Sequence, residues 1–280
     1  MKKAMILSAT TLLLLSGCQQ VEDWTKNLMG EKEQAEEPAE TQQEIKDPVE
    51  KNEKPITKEP EEIVPPELQL EEQYFNDVQV VNGKKMIQNP QNVLALVNKE
   101  FALGDYKPND LVRPNVPFVF GDKKIEKAHL REDAARALED MFNEAKNQNI
   151  YLTAVSGYRS YDYQKMLLER EIAQFGKEKA VLAVAPPGQS EHQSGLAMDI
   201  SSQNNGFQIN EAFGETKEGI WLKENAHLFG YILRYPKGKE DITHYQYEPW
   251  HFRYVGKDAA KVIFENDWTL EEYFQNVKKI

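Results

Sequence analysis

This sequence of 280 residues lacks several features that would place it in a common class of protein. Its single cysteine excludes an intramolecular disulfide, a cysteine-rich zinc module and a CxxC redox motif. Its 34 lysines and arginines are outnumbered by 46 aspartates and glutamates, and nucleic-acid binding is not expected because it needs a basic face. The HExxH motif and internal repeats are also missing. The length of the sequence is sufficient for one or two domains with a substantial core.

The first eighteen residues have the pattern of a secretory signal peptide. Two lysines precede a leucine-rich run that is too short to span a bilayer, and small residues follow it. The end of this segment, Leu15-Ser16-Gly17-Cys18, resembles the bacterial lipobox, in which the cysteine is lipidated. An ordinary signal peptide with an incidental cysteine is the alternative. Because the only cysteine stands where a lipobox needs it, we expect Cys18 to anchor an extracytoplasmic protein to the cell membrane.

Residues 19–73 differ in composition from the rest of the chain. They include 17 aspartates and glutamates, 6 lysines and 6 prolines, with few large apolar side chains. Such a segment buries too little apolar surface to offset the entropy lost on ordering, so we expect a disordered, extended tether. Residues 74–280 are then nearly neutral and are expected to form a single folded domain.

From Tyr74 onward, apolar residues become dense and periodic. Helical spacing predicts helices over Asn92–Phe101, Leu130–Asn147, Tyr161–Phe175, Ile220–Phe229, Asp258–Phe264 and Leu270–Gln275. Short alternating or apolar runs predict strands over Ile150–Ser156, Gly195–Ser201, Tyr231–Tyr235 and Trp250–Val255. These elements do not alternate regularly, so they favour an α+β fold with a small mixed or antiparallel sheet flanked by helices.

Two of the five histidines lie in polar clusters beside predicted strands. In the cluster Ser190–Asp199, a histidine in a loop, His192, can face Asp199 on the strand that follows. In the cluster Glu248–His251, a proline breaks any helix, so its glutamate and histidine would converge from a turn. The other histidines lie outside these clusters: His129, His227 and His244.

Two imidazoles and one carboxylate are a ligand set typical of catalytic zinc, which keeps a fourth position open. Glu248 beside the second histidine is then the expected general base. The alternative interpretation is a set of hydrogen-bonded polar residues at the ends of loops, and the residues alone leave both open.

Three motifs occur in order along the second half of the chain. They are Ser156-Gly157-Tyr158-Arg159-Ser160, Ser190-x-His192-x-x-Gly195-x-Ala197-x-Asp199 and Glu248-x-Trp250-His251. Together they resemble the VanY-type D-alanyl-D-alanine carboxypeptidases, a family of zinc peptidases, over about residues 90–270. The stretch Trp221–Gly256 is most similar to the L,D-carboxypeptidase branch of that family.

This resemblance implies roles for particular residues. His192, Asp199 and His251 would bind Zn²⁺, Glu248 would be the catalytic base, and Arg159 would hold the substrate near the scissile bond. A fixed guanidinium can pair with a terminal carboxylate or stabilise a developing oxyanion. Five further residues are weaker candidates for contacting the substrate or lining the pocket, and a structural role is an equal explanation for them. They are Gln164, Ser190, Tyr245, Tyr247 and His244.

The implied function is a zinc carboxypeptidase that trims the C-terminal D-alanine from peptidoglycan stem peptides. We expect an L,D-carboxypeptidase acting on the tetrapeptide, and a D,D-carboxypeptidase acting on the pentapeptide is the alternative. A non-catalytic peptidoglycan-binding lipoprotein would be expected to lose the base or a ligand, and this chain keeps all four residues. A two-lobed solute-binding lipoprotein would need more folded residues. The expected partners are stem peptides and, through Cys18, the membrane; we expect no nucleic-acid partner and a monomer.

Overall fold

The computed structural model describes residues 64–280 of the chain. The expected signal peptide, its lipidation site Cys18 and residues 19–63 of the tether lie outside this part, so the predictions made for them remain predictions. Within residues 64–280, no helix combines the length and the apolar character needed to cross a membrane.

Short strands and seven helices make up the described residues. The strands are β1 (Gln69–Leu70), β2 (Val78–Val81), β3 (Lys84–Ile87), β4 (Phe101–Ala102), β5 (Leu111–Val112), β6 (Leu130–Arg131), β7 (Thr153–Ser156), β8 (Ala197–Ser201), β9 (Tyr231–Leu233), β10 (His251–Tyr254) and β11 (Lys278–Lys279). The α-helices are α1 (Glu132–Asn147), α2 (Tyr161–Phe175), α3 (Lys177–Ala183), α4 (Lys217–Asn225), α5 (Glu240–Thr243), α6 (Lys257–Glu265) and α7 (Leu270–Asn276). Helices beside small sheets confirm the predicted α+β class.

A four-stranded antiparallel sheet in the order β7-β8-β10-β9 lies at the centre of this architecture. Every residue of β8 is buried. Met198 and Ile200 belong to the same apolar core as Leu138 of helix α1. Because successive side chains of a strand point to opposite faces, Asp199 faces away from that core. The sheet therefore has an apolar face toward α1 and a polar face on which chemistry can be placed.

The apolar pattern correctly predicts the buried face of helix α1. The predicted core positions are all buried: Ala134, Leu138, Met141, Phe142 and Ala145. The helix begins at Glu132 rather than Leu130, because Leu130 and Arg131 pair with strand β5. Helix α2 spans Tyr161–Phe175 as predicted; the Ser160 side chain caps its first turn and Gly176 follows it with a positive φ of 82°.

The predicted helix over Asn92–Phe101 is wrong. This segment is irregular up to the short strand β4, and its polar groups bind partners far along the chain. The carbonyls of Val93 and Ala95 accept hydrogen bonds from the Arg253 side chain. Asn76 binds both the N–H and the C=O of Leu96. These tertiary hydrogen bonds replace the ladder that an isolated helix would form.

A second apolar core joins helices α6 and α7 to the segment before Tyr74. Leu70 is buried in this core with Ile263 and Leu270. Strand β1 pairs in parallel with β11 near the C-terminal end of the described chain. Residues 69 and 70, which were assigned to the tether, are therefore part of the folded unit, and the domain begins before Tyr74.

Candidate active site

The register of strands β8 and β10 positions two of the predicted metal ligands. His251 is the direct cross-strand partner of Asp199 in this antiparallel pair. Directly opposed residues have side chains on the same face of the sheet, here the face that points away from helix α1. The His251 Nδ1 atom lies 3.3 Å from the Asp199 Oδ1 atom.

His192 reaches the same point from a short 3₁₀ turn, Glu191–Ser194, that precedes β8. Its Nδ1 atom lies 2.8 Å from the carbonyl oxygen of Gly157. A carbonyl only accepts hydrogen bonds, so Nδ1 carries the proton and the lone pair of a neutral ring is on Nε2. This Nε2 atom lies 3.4 Å from Asp199 Oδ1.

Two glycines make this arrangement possible. A Cβ atom at Gly157 would lie 2.4 Å from the carbonyl oxygen of His129, so any other residue would move the backbone that holds His192. Gly195 ends the 3₁₀ turn with a φ of 71°, a left-handed conformation that favours glycine. Both glycines occupy fixed positions of the motifs identified in the sequence.

The three side chains fit a metal ion. His192, Asp199 and His251 are buried, and one ligand atom from each lies within 4.8 Å of the others. Metal–ligand bonds of about 2.0–2.2 Å in a tetrahedron require ligand atoms roughly 3.3–3.5 Å apart, which matches the two distances to Asp199. His192 Nε2 and Asp199 Oδ1 are buried and have no hydrogen-bond partner among the described residues. Buried polar atoms are nearly always paired, so these two atoms have the environment of ligands.

Burial and neighbouring charges shift the pKa values of the three cluster residues, in some cases in opposite directions. Burial lowers the pKa of His192 to about 4, and the positive charge of Arg159 acts in the same direction. Burial also lowers the pKa of His251, but the neighbouring carboxylates of Asp199 and Glu191 outweigh it and raise the pKa to about 9. Burial raises the pKa of Asp199, whereas the two histidines hold it well below its usual range. Asp199 is therefore an anion held between two imidazoles.

Glu248 lies at the mouth of the cluster, three residues before His251. Its Oε2 atom is 3.7 Å from His251 Nδ1, and 21% of its side chain is exposed. Burial raises the pKa of Glu248 to about 7, although the charge of His251 opposes the shift. A carboxyl group that titrates near neutral pH can both accept and return a proton.

Arg159 and Gln164 line one pocket with Glu248 and the two histidines. Arg159 follows strand β7, and its backbone N–H donates to the carbonyl of His192. The Arg159 Nε atom and the Gln164 Oε1 atom are buried without a partner among residues 64–280. The Gln164 amide nitrogen donates to the carbonyl of Ala185, 2.8 Å away, which aims the amide oxygen elsewhere. The pocket therefore presents an unpaired cation and an unpaired acceptor next to the metal-like cluster.

The remaining predicted contacts divide into two groups. Ser190 and Tyr245 line the pocket, and the Tyr245 ring stacks on that of Tyr235 with centroids 4.5 Å apart. Tyr247 instead lies against Gly214: a Cβ atom added to Gly214 would be 2.4 Å from the Tyr247 hydroxyl. His244 is exposed and has a positive φ of 59° at the end of helix α5. Neither Tyr247 nor His244 is among the residues that line this pocket.

Comparison with known proteins places this geometry in a family. The family model for VanY, D-alanyl-D-alanine carboxypeptidase, matches residues 127–257. The chain is 60% identical over 215 residues to YodJ of Bacillus subtilis (strain 168), which is named as a carboxypeptidase; the match covers 76% of this chain and 78% of YodJ. The chain belongs to the VanY family of carboxypeptidases.

Solved structures of VanY-family proteins share the fold. The LdcB LD-carboxypeptidase is 60% identical, with a TM-score of 0.74, and the match covers 76% of this chain and all of that one. A vancomycin-resistance D,D-pentapeptidase VanY in complex with Zn(II) is 31% identical, with a TM-score of 0.53, and the match covers 65% of this chain and 98% of that one. Membership of this family makes the chain a carboxypeptidase with a candidate metal site.

Sequence reasoning missed the role of one residue within a VanY-family motif. Glu191 lies between Ser190 and His192, and its carboxylate contacts His251, Arg234 and Arg253. Both arginines are completely buried, and they lie 43 and 62 residues further along the chain. No local pattern connects residues so far apart, so the sequence carried no signal for these contacts.

Proposed function

We propose that this protein is a zinc-dependent L,D-carboxypeptidase that removes the C-terminal D-alanine from tetrapeptide stems of peptidoglycan. The principal support is one pocket in which both histidines of the His192–Asp199–His251 cluster lie beside Glu248 and Arg159, whose Nε atom has no partner among residues 64–280. The 60% identity to the LdcB LD-carboxypeptidase over its full chain supports the L,D assignment.

Zinc is the metal that this donor set favours. Two imidazole nitrogens and one carboxylate oxygen leave a fourth tetrahedral position open, which is typical of catalytic rather than structural zinc. An ion held there would polarise a carbonyl oxygen and lower the pKa of a water molecule. The Zn(II) in the VanY structure supports this choice.

The protein side chains in the pocket have complementary tasks in peptide hydrolysis. Glu248 accepts the proton of the attacking water and returns it to the leaving amine, which its pKa near neutrality suits. Arg159 pairs with negative charge, either the terminal carboxylate of the peptide or the oxygen of the tetrahedral intermediate. Gln164 Oε1 and Ser190 would contact the backbone of a bound peptide, since both residues line the pocket.

The proposed location is the outer face of the cell membrane. The support is the sequence of the first eighteen residues, whose lipobox-like end provides the only cysteine for lipid attachment. An acidic, proline-rich segment would then let the domain reach the wall polymer. Growth with a labelled fatty acid tests this, because label should enter the parent protein and not Cys18→Ala.

Release of D-alanine from defined stem peptides tests the activity. The zinc-loaded protein is expected to release D-alanine from tetrapeptide stems, to lose this activity on chelation and to regain it with Zn²⁺. A tetrapeptide that ends in L-alanine is the matched control and should remain intact. Release of D-alanine from the pentapeptide alone would instead favour a D,D-carboxypeptidase, which is the activity in the family name. Zinc binding without hydrolysis of either stem would make the protein a non-catalytic wall-binding relative.

A further inference from the structure

A second cluster of buried charge lies directly behind the candidate metal centre. We call it the arginine cluster; its members are Glu191, Arg234, Arg253 and Glu271. The side chains of Glu191 and both arginines are 0% exposed, and that of Glu271 is 10% exposed. Buried charges are expensive unless they are paired and hydrogen-bonded, so their hydrogen bonds indicate what the cluster does.

Glu191 uses its two oxygens for different partners. Its Oε1 atom accepts from Arg234 Nε at 2.8 Å and from Arg253 Nη1 at 2.7 Å. Its Oε2 atom lies 3.2 Å from His251 Nε2. The arginines therefore saturate one oxygen and orient the other toward the imidazole of a predicted metal ligand.

The arginines are themselves held in place. The guanidinium of Arg234 forms two parallel hydrogen bonds, of 2.8 and 2.7 Å, with the Glu271 carboxylate at the start of helix α7. Arg253 donates to the carbonyls of Val93 and Ala95. Such bidentate, charge-assisted pairs have fixed geometry, so the orientation of Glu191 is determined by the surrounding fold.

The position of Glu191 has a direct consequence for His251. A carboxylate only accepts hydrogen bonds, so the imidazole must donate through Nε2–H. A neutral ring then has its lone pair on Nδ1, the atom 3.3 Å from Asp199 Oδ1 in the candidate metal site. Metal-binding histidines commonly donate their other N–H to a carboxylate, which fixes the tautomer and the ring orientation.

We propose that Glu191 is a positioning residue that holds His251 with its Nδ1 lone pair toward the metal, while Arg234 and Arg253 hold Glu191. This inference rests on the metal site of the proposed function. It extends to residues outside the matched family region, since Glu271 lies beyond residue 257.

The substitution Glu191→Gln tests the inference because an amide has only one acceptor oxygen. The two arginine donors are expected to take that oxygen, which leaves the amide NH₂ facing His251 Nε2. Two donors cannot form a hydrogen bond, so the variant disfavours the ring state that can bind metal through Nδ1. The affinity for Zn²⁺ should fall by about 10- to 100-fold, the usual effect of losing such an outer partner.

Glu218→Gln is the matched control. Glu218 is another buried glutamate, with a side chain that is 2% exposed, but its oxygens accept from Ser202 and Asn204 and contact no predicted ligand. Competition with a chelator gives the Kd for Zn²⁺, and the electronic spectrum of the Co²⁺-loaded protein reports the ligand geometry. Urea unfolding of the chelator-treated proteins separates loss of stability from loss of metal affinity.

The expected result is a weaker Kd and an altered Co²⁺ spectrum for Glu191→Gln, with parent values for Glu218→Gln. If Glu191→Gln does not fold, Glu191→Asp keeps the charge that the arginines need but retracts the carboxylate from His251, and the same Kd loss is expected. A folded Glu191 variant with the parent Kd and spectrum would overturn the inference, even if it were less stable. Failure of the parent protein itself to bind zinc would instead reject the proposed function.

Discussion

His251 separates two groups of buried charged and polar residues whose hydrogen bonding differs. We call the first the pocket cluster; its members are Arg159, Gln164, His192, Asp199 and Glu248. Four of the five buried side-chain polar atoms without a partner in residues 64–280 belong to it. In the arginine cluster, every buried side-chain nitrogen and oxygen atom has a hydrogen-bond partner within residues 64–280. The arrangement is that of a site which keeps its binding capacity for a ligand, supported by a network that is complete without one.

This difference predicts that substitutions in the two clusters have opposite signatures. Changes in the pocket cluster should abolish metal binding or turnover and leave folding stability nearly unchanged, because few native interactions are lost. Changes in the arginine cluster should lower stability, because they leave buried charges without partners.

The largest effect is expected for His192→Ala. Removing one of three ligands should weaken zinc binding by more than the roughly 100-fold typical of outer partners, and turnover should disappear with the metal. Zinc content after dialysis and D-alanine release measure both. His227→Ala is the control, because His227 stacks on Phe264 away from the pocket. Retention of zinc at the parent affinity by His192→Ala would remove His192 from the ligand set.

Glu248→Gln should separate metal binding from turnover. The amide cannot accept a proton, so kcat is expected to fall by about 10²- to 10⁴-fold while zinc stoichiometry stays the same. Stem-peptide kinetics and metal analysis on one preparation test this. Glu211→Gln, at an exposed glutamate, should keep the parent rate. Loss of zinc from Glu248→Gln would indicate a ligand and require a different base.

Arg159 should matter for its planar, forked guanidinium as well as its charge. Arg159→Ala is expected to lower kcat/KM by about 30- to 4,000-fold, the range for losing a hydrogen-bonded charge contact of about 2–5 kcal/mol. Arg159→Lys should also be clearly impaired, since an ammonium cannot bind an anion in the same bidentate way. Arg170→Lys, on the exposed side of helix α2, is the control. Parent kinetics in Arg159→Ala would place the carboxylate anchor elsewhere.

Arg253→Met tests the contribution of the arginine cluster to stability. It removes a buried partner of Glu191 and leaves the carbonyls of Val93 and Ala95 without their donor. The free energy of unfolding should fall by about 3–5 kcal/mol. Arg136→Met, which breaks an exposed i,i+4 pair with Glu132, should leave the free energy of unfolding nearly unchanged. Equal effects in urea unfolding would show that burial of the arginine cluster does not matter for stability.

The smallest effect concerns the start of helix α7, where Glu272 accepts from the Thr269 backbone and pairs with Lys239 at 2.9 Å. Burial raises the pKa of Glu272, but the combined effect of these partners lowers it overall. A lowered folded-state pKa stabilises the protein above the unfolded value of about 4.3, and this is lost as the pH falls through the folded pKa. Glu272→Gln should therefore cost about 0.5–1 kcal/mol at pH 7 and progressively less in acid. An unfolding difference that is independent of pH would contradict this.

Much of the fold could be predicted where the pattern was local. Helix α2 has the predicted bounds, and the apolar positions of helix α1 are buried as expected. The segment Asn92–Phe101 was misassigned because its carbonyls bind Arg253, a partner about 160 residues away. Hydrogen bonds of that separation leave no periodicity in the sequence and override local propensity.

The sequence by itself determined the family, the α+β class and which residues are candidates for metal, base and substrate anchor, because those residues occur at characteristic spacings within short motifs. Their roles remain to be tested by the substitutions above. The tertiary structure alone decided that His251 faces Asp199, through the register of β8 and β10, and that Glu191 binds two buried arginines. The physical reason is that the proton on an imidazole is positioned by its hydrogen-bond partner, and that partner is brought to it by the fold rather than by its position in the chain.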